Sequence, residues 1–178
     1  MANYAATDFA LTDNQKAERK LLVTAVKVDD EIIPIGVGVE DSSISYEADS
    51  ETVTDIMGVT EANINSISMT QSLEPMTVRG GNKLLFKLVD ILERNAISEL
   101  SGFEVYLIRA YINEDSSGST PKYHAEKHIN CTIRPTGEGG SAYVDMPIEI
   151  TFSNDKTLGT VNGYKKTDTI EFTANSAS

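Results

Sequence analysis

Tryptophan is absent from this 178-residue chain, cysteine occurs once, and Lys and Arg number 15 against 27 Asp and Glu. Each shortage excludes something. A lone Cys131 cannot close an intrachain disulfide, so the fold has no covalent staple. Without tryptophan, the aromatic platforms that usually hold sugars in a glycosidase are thin. A formal charge of −12 argues against tight binding in a duplex groove, which is driven by basic side chains displacing counterions from phosphates. It leaves room for DNA passing nearby, because an acidic wall repels a polyanion over roughly one Debye length of 8 Å. No uncharged apolar run approaches the roughly 20 residues needed to cross a bilayer. The N-terminal MANYAATDFALTDNQK also lacks the basic and apolar regions of a secretion signal, so synthesis and solubility in a cytoplasm are expected.

What is present is an ordinary globular composition, with 40% apolar and 24% charged residues. A single domain over residues 1–178 with a packed core follows. Period-two alternation dominates and predicts a mainly β protein. It is clearest over Tyr123–Arg134, where Tyr123, Ala125, Ile129, Cys131 and Ile133 would share one face, and His124, Glu126, His128 and Arg134 the solvated one. Lys127 breaks the pattern. A second run places Ala142, Val144, Met146, Ile148, Ile150 and Phe152 inward. Pro135–Gly140 between them is rich in turn residues, which predicts a long hairpin. Further strands are expected at Leu21–Val28, Ile32–Val39, Ser43–Ala48 and Ile64–Leu73, with a hairpin turn at Asn162–Gly163 followed by Ile170 and Phe172.

Two segments stand apart. Phe103–Ile112 is apolar on both faces, so something must cover it twice, either a helix or a neighbouring subunit. Asn82–Asn95 carries Leu84, Leu85, Leu88, Ile91 and Leu92 at helical spacing, with Asn82 as N-cap. Residues 1–18 (an N-terminal arm), 50–63 (a long interaction loop) and 154–178 (a C-terminal extension) look loose. The middle one carries Ile56, Met57 and Val59, and a long loop with apolar residues is usually functional or bound by a partner.

No motif points to catalysis, a metal or a cofactor. His124 and His128 are four apart, but on a strand that separates them by roughly 13 Å, and Glu126 has the wrong offset for a zinc protease helix. Cys131 would point to the other face as a small buried thiol. Arg79-Gly80-Gly81-Asn82-Lys83 lacks P-loop spacing and reads as a helix entry. Gly137–Gly140 and Lys156–Gly159 read as turns. The carboxylates Glu47 with Asp49, and Asp145 with Glu149, fall at strand spacing on acidic faces.

Ser42–Glu61, Ile64–Pro75, KLLFKLVDILERNA, SGFEVYLIRAYI and HINCTIRPTGEGGSAYVDMPIEITFSNDKTLGTV together resemble, in segment order, the tail tube (major tail) proteins of long-tailed phages. These are related to contractile-tail and type VI secretion tubes, and the similarity spans residues 20 to 161. It implies two packed antiparallel sheets, a β-sandwich or barrel, flanked by one α-helix, and a non-enzymatic virion subunit. Such subunits form hexameric rings that stack into a conduit for DNA ejection, with strands of six copies lining an inner barrel. The implied partners are copies of the chain itself, a tape measure protein, a tail terminator and baseplate or distal tail proteins. DNA would pass without specific binding and no membrane would be involved. The particle would be a phage tail assembled in the bacterial cytoplasm. Glu47, Asp49, Asp145 and Glu149 become candidates for the lumen, and Ile56, Met57 and Val59 for ring contacts. The alternatives are a tail-associated adhesin or receptor-binding β-sandwich, and the tube of a phage-derived bacteriocin.

Overall fold

A computed structural model describes residues 10–113 and 122–175. The expected N-terminal arm therefore lies partly outside the described residues, as do the last three residues of the C-terminal extension. Nine strands and one α-helix follow in order: β1 (Leu22–Val28), β2 (Glu31–Pro34), β3 (Ile44–Thr54), β4 (Thr60–Leu73), α1 (Lys83–Glu93), β5 (Ser101–Asn113), β6 (Tyr123–Pro135), β7 (Ile148–Phe152), β8 (Lys156–Val161) and β9 (Phe172–Ala174). Every pairing is antiparallel. The molecule is mainly β with one helix among its described residues, as its alternation predicts.

The two expected sheets are joined into a single hydrogen-bonded sheet of order β2-β1-β5-β6-β7-β4-β3 that forks at β6. Residues 132–135 of β6 pair with β7, whereas residues 123–128 pair with β8, which carries β9 at its outer edge. The fork coincides with a bulge. Phe103 opposes Cys131 while Val105 opposes His128, and Asn130 sits at φ 59° between them. Asparagine tolerates this left-handed conformation better than most side chains. The extra residue inverts the pleat, so the expectation of one continuous apolar face along β6 is corrected. Ala125 belongs to one hydrophobic cluster, and Cys131 and Ile133 to the other.

The larger cluster lies under α1. Leu84, Leu85, Leu88 and Ile91 of the helix pack with Val26 and Val28 of β1, Val105 and Leu107 of β5, and Ile148, Ile150 and Phe152 around β7. Asn82 caps the helix by accepting a hydrogen bond from the Leu85 amide at 3.1 Å, as its sequence position predicts. The smaller cluster lies on the opposite side of β5, where Tyr106 and Ile108 meet Ala25, Ala125, Val161 and Ile170. The two apolar faces of β5 are thus both covered from within the chain, one by α1 and one by the C-terminal segment. Phe172 packs edge-on against Tyr106, with ring centroids 5.5 Å apart.

That arrangement corrects the reading of residues 154–178 as loose. Lys156–Gly159 is strand, not turn, and ten residues rather than a two-residue Asn-Gly turn separate β8 from β9. Within that connection Asp168 accepts hydrogen bonds from the amides of Tyr164 and Lys165, and Asn162 accepts one from Glu171. Gly159 has no room for a side chain: a Cβ there would lie 2.3 Å from the Thr173 carbonyl oxygen. The long β6–β7 hairpin is also shorter than its alternation suggests. β7 begins at Ile148, Met146 is buried without being in a strand, and Ala142 and Val144 are exposed.

Candidate assembly surface

Residues 50–63 are not a loose loop. β3 and β4 run on past the body as a ribbon, paired from Ile44–Gln71 out to Thr54–Thr60. No residue from Ser45 to Ser68 is buried. The strand alone from Ser45 to Thr54 reaches roughly 30 Å at about 3.3 Å per residue. Beyond the body the ribbon has two edges unpaired among the described residues, since β3 bonds only β4, and β4 bonds β7 only from Met69 to Leu73. An isolated two-stranded ribbon is at best marginally stable in water, and open edges invite pairing with other strands.

Its two faces differ in chemistry. Cross-strand partners share a face. On one face the register aligns Tyr46 with Met69, Ala48 with Ile67, Ser50 with Ile64 and Thr52 with Ala62. On the other it aligns Glu47 with Ser68, Asp49 with Ser66, Glu51 with Asn63 and Val53 with Glu61. One face is neutral and carries Tyr46, Ile64, Ile67 and Met69; the other holds four carboxylates and Val53. Ile64 and Ile67, three apart, would fall on opposite faces of a regular strand. A bulge at Asn65 brings them to the same one.

The tip is a built turn. The Asp55 carboxylate accepts hydrogen bonds from the amides of Met57 and Val59 at 2.8 and 2.9 Å, the Asp55 amide donates to the Val59 carbonyl, and Gly58 sits at φ 80°. Ile56 and Met57 are held outward, at 102% and 83% exposure, with Val59 beside them. All three sequence candidates for subunit contacts therefore gather at one projecting point. Asp55 and Gly58, two turn residues three apart, were the signal for it.

At the root of the ribbon, a cleft of about 550 Å³ separates its neutral face from the fork in the sheet. Tyr46, Ile64 and Ile67 form one wall, and Arg109, Glu126, His128 and Lys156 the other. Glu126 bonds Arg109 at 2.8 Å and His128 Nε2 at 3.3 Å, with Lys156 at 3.6 Å. His128 Nδ1 lies 2.8 Å from the Ser153 carbonyl, and its ring stands edge-on to Phe152. Burial alone would raise the Glu126 pKa. The His128 hydrogen bond and the charges of Arg109 and Lys156 outweigh it and hold the carboxyl down to about 2. Burial likewise disfavours the Arg109 cation, but Glu126 more than offsets this and the guanidinium ends above its ordinary value. The expectation of solvated histidines is corrected: His124 and His128 are each only 3% exposed, because the Asn130 bulge turns even-numbered residues of β6 inward. No group of three metal-ligating side chains occurs among the described residues.

Of the four lumen candidates, Glu47 and Asp49 lie on the acidic ribbon face. Glu149 falls on the same side of the sheet through the register Thr70–Thr151 and Ser72–Glu149, and pairs with Arg134 at 2.9 Å. Asp145 does not join them. It sits in the irregular segment before β7, exchanging backbone hydrogen bonds with Gly139, and its Oδ1 is buried with no partner among the described residues. Glu51 and Glu61, overlooked in the sequence, complete the acidic face.

Comparison with known protein families gives no match, and comparison with curated proteins gives none either. Solved structures do match. A chain of the sheath–tube complex of an extracellular contractile injection system in its extended state superposes with a TM-score of 0.50 at 12% identity, over 82% of this chain and 93% of that one. A chain in the tail of an empty GTA particle, determined with helical refinement and C6 symmetry, gives 0.51 at 12% identity, over 80% of this chain and 98% of that one. At such identity the likeness establishes fold alone, and that fold is of the tail-tube kind.

Proposed function

We propose that this chain is a structural, non-enzymatic subunit of a tail tube, assembling with copies of itself into stacked six-membered rings around a channel for DNA. One observation carries the reading: a ribbon with both edges open and no buried residue from Ser45 to Ser68. In the polymer, ribbons of neighbouring copies pair edge to edge and close into a barrel, which satisfies the backbone groups a single protomer leaves open. The neutral face, with Tyr46, Ile64 and Ile67, turns outward against the subunit bodies. Glu47 and Asp49 face the channel, with Glu149 on the same side, and a polyanion slides past carboxylates without gripping them. The likeness to chains of a contractile injection system and a C6 tail supports the six-fold arrangement.

Tape measure, terminator and baseplate proteins are the partners such a tube requires, and a phage tail or a phage-derived bacteriocin the particle it belongs to. Negative-stain microscopy of concentrated protein, alone and with a nucleating tail-tip complex, tests the proposal. Hollow tubes with six-fold class averages are expected. A protein that stays monomeric under both conditions overturns it.

A further inference from the structure

A second exposed apolar feature lies on the body. A groove of about 680 Å³ runs between the first turns of α1 and the Val78–Asn82 segment, with Val78, Phe86 and Val89 in its lining. Val78 and Phe86 are exposed, so none of the described residues fills it. Arg79, Lys83 and Lys87 surround it. Lys83 is paired with Glu31, but Arg79 and Lys87 form no salt bridge among the described residues. The acids on the same rim are Asp29 and Asp90, and Asp90 is already bound by Arg94 at 2.8 Å. In a chain of charge −12 this is a locally basic, apolar depression.

The ribbon tip has the converse character. Residues 44–73 contain five acidic side chains and no basic one. At the end of that segment Ile56 and Met57 project from a turn fixed by Asp55, between Glu51 and Glu61. Held in place before contact, these side chains lose little further freedom on docking. An apolar knob with carboxylates on one flank and an apolar hollow whose rim holds three cations against two acids are complementary in shape class and in sign.

We propose that the tip of one copy seats Ile56 and Met57 in the α1 groove of a second copy, with Glu51 and Glu61 facing Arg79 and Lys87. The proposal rests on the tube reading and gives that assembly its contact between successive rings. Two different patches meet, so the interface is heterologous: every copy offers a tip and receives one, and the contact propagates rather than closing on a pair.

Cysteine crosslinking tests it. The native Cys131 is buried and makes the wild-type chain a silent control. Met57→Cys protein mixed with Phe86→Cys protein is expected to form disulfide-linked pairs on oxidation of assembled material, and the double variant a ladder of higher oligomers. Arg79→Glu with Lys87→Glu should lower the polymerised fraction roughly ten-fold or more, with recovery when Glu51→Lys and Glu61→Lys are added. Tubes that assemble normally yet give no 57–86 crosslink, or a Phe86→Asp variant that polymerises as well as wild type, overturn the docking while leaving the tube reading intact. A wild-type chain that never polymerises removes both.

Discussion

The body and the ribbon of this protein are built to opposite rules. The body packs most of the large side chains of its helix and sheet into two clusters, and even the two apolar faces of β5 are covered by the chain itself. The ribbon buries nothing from Ser45 to Ser68, yet it is regularly paired along its length and closed by a hydrogen-bonded turn. The two regions thus differ in how far they need a partner. By sequence alone β5, apolar on both faces, calls for a cover on each side. In the folded chain α1 and Ile170 satisfy β5, and the larger demand falls on β3 and β4.

Substitutions sharpen that contrast. The largest stability loss is expected from Glu126→Ala, which strands Arg109 and Lys156 at the root of the ribbon and should cost about 3–5 kcal/mol in urea denaturation. Leu88→Ala, under α1, should cost about 2–5 kcal/mol by opening a cavity in the larger cluster. Acid provides a milder probe. The folded-state pKa of Glu126, about 2, is depressed below the ordinary glutamate value of about 4.3. Its contribution is therefore complete above pH 4.3 and disappears as pH falls towards 2, a loss of about 3 kcal/mol in denaturation followed between those limits. Glu126→Gln should flatten that part of the profile. At the far end, Ile64→Ser on the ribbon should move protomer stability by less than about 0.5 kcal/mol while reducing the yield of tubes seen by microscopy. A loss of several kcal/mol from Ile64→Ser would mean that the ribbon belongs to the body's fold after all.

Much of the body was legible because its signals are local. The Leu84–Leu85–Leu88–Ile91 stripe and the Asn82 cap specify α1 within a dozen residues, and the double apolarity of β5 announces a strand covered twice. What covers it was not legible, because Ile170 and Phe172 arrive from about sixty residues away. The buried charges were hidden by the Asn130 bulge, which exchanges the faces of β6. Lys127, out of step with the alternation, was the visible trace of that exchange. The ribbon escaped notice because polar alternation on an exposed strand has no core to report against: Ser50–Asn63 reads as loop by composition, although Asp55 and Gly58 bracket a turn. The subunit-contact candidates Ile56, Met57 and Val59 were visible as apolar residues in a polar stretch. Arg109, Glu126 and His128 meet only through strand pairing, which no linear spacing records.

Asn65 is not needed to place its neighbours on their faces. The register on either side of it already assigns Ile64 and Ile67 to one surface and Ser66 to the other. Excising this single amino acid would restore plain alternation and leave each neighbour where it is. Only the local bend and extra twist of the bulge would go. Curvature and coating are thus encoded by separate letters of the sequence: one position bends the strip, whereas 47, 49, 51 and 61 decide what it displays. A lineage could retune the curvature of the ribbon without changing the chemistry of the face it shows.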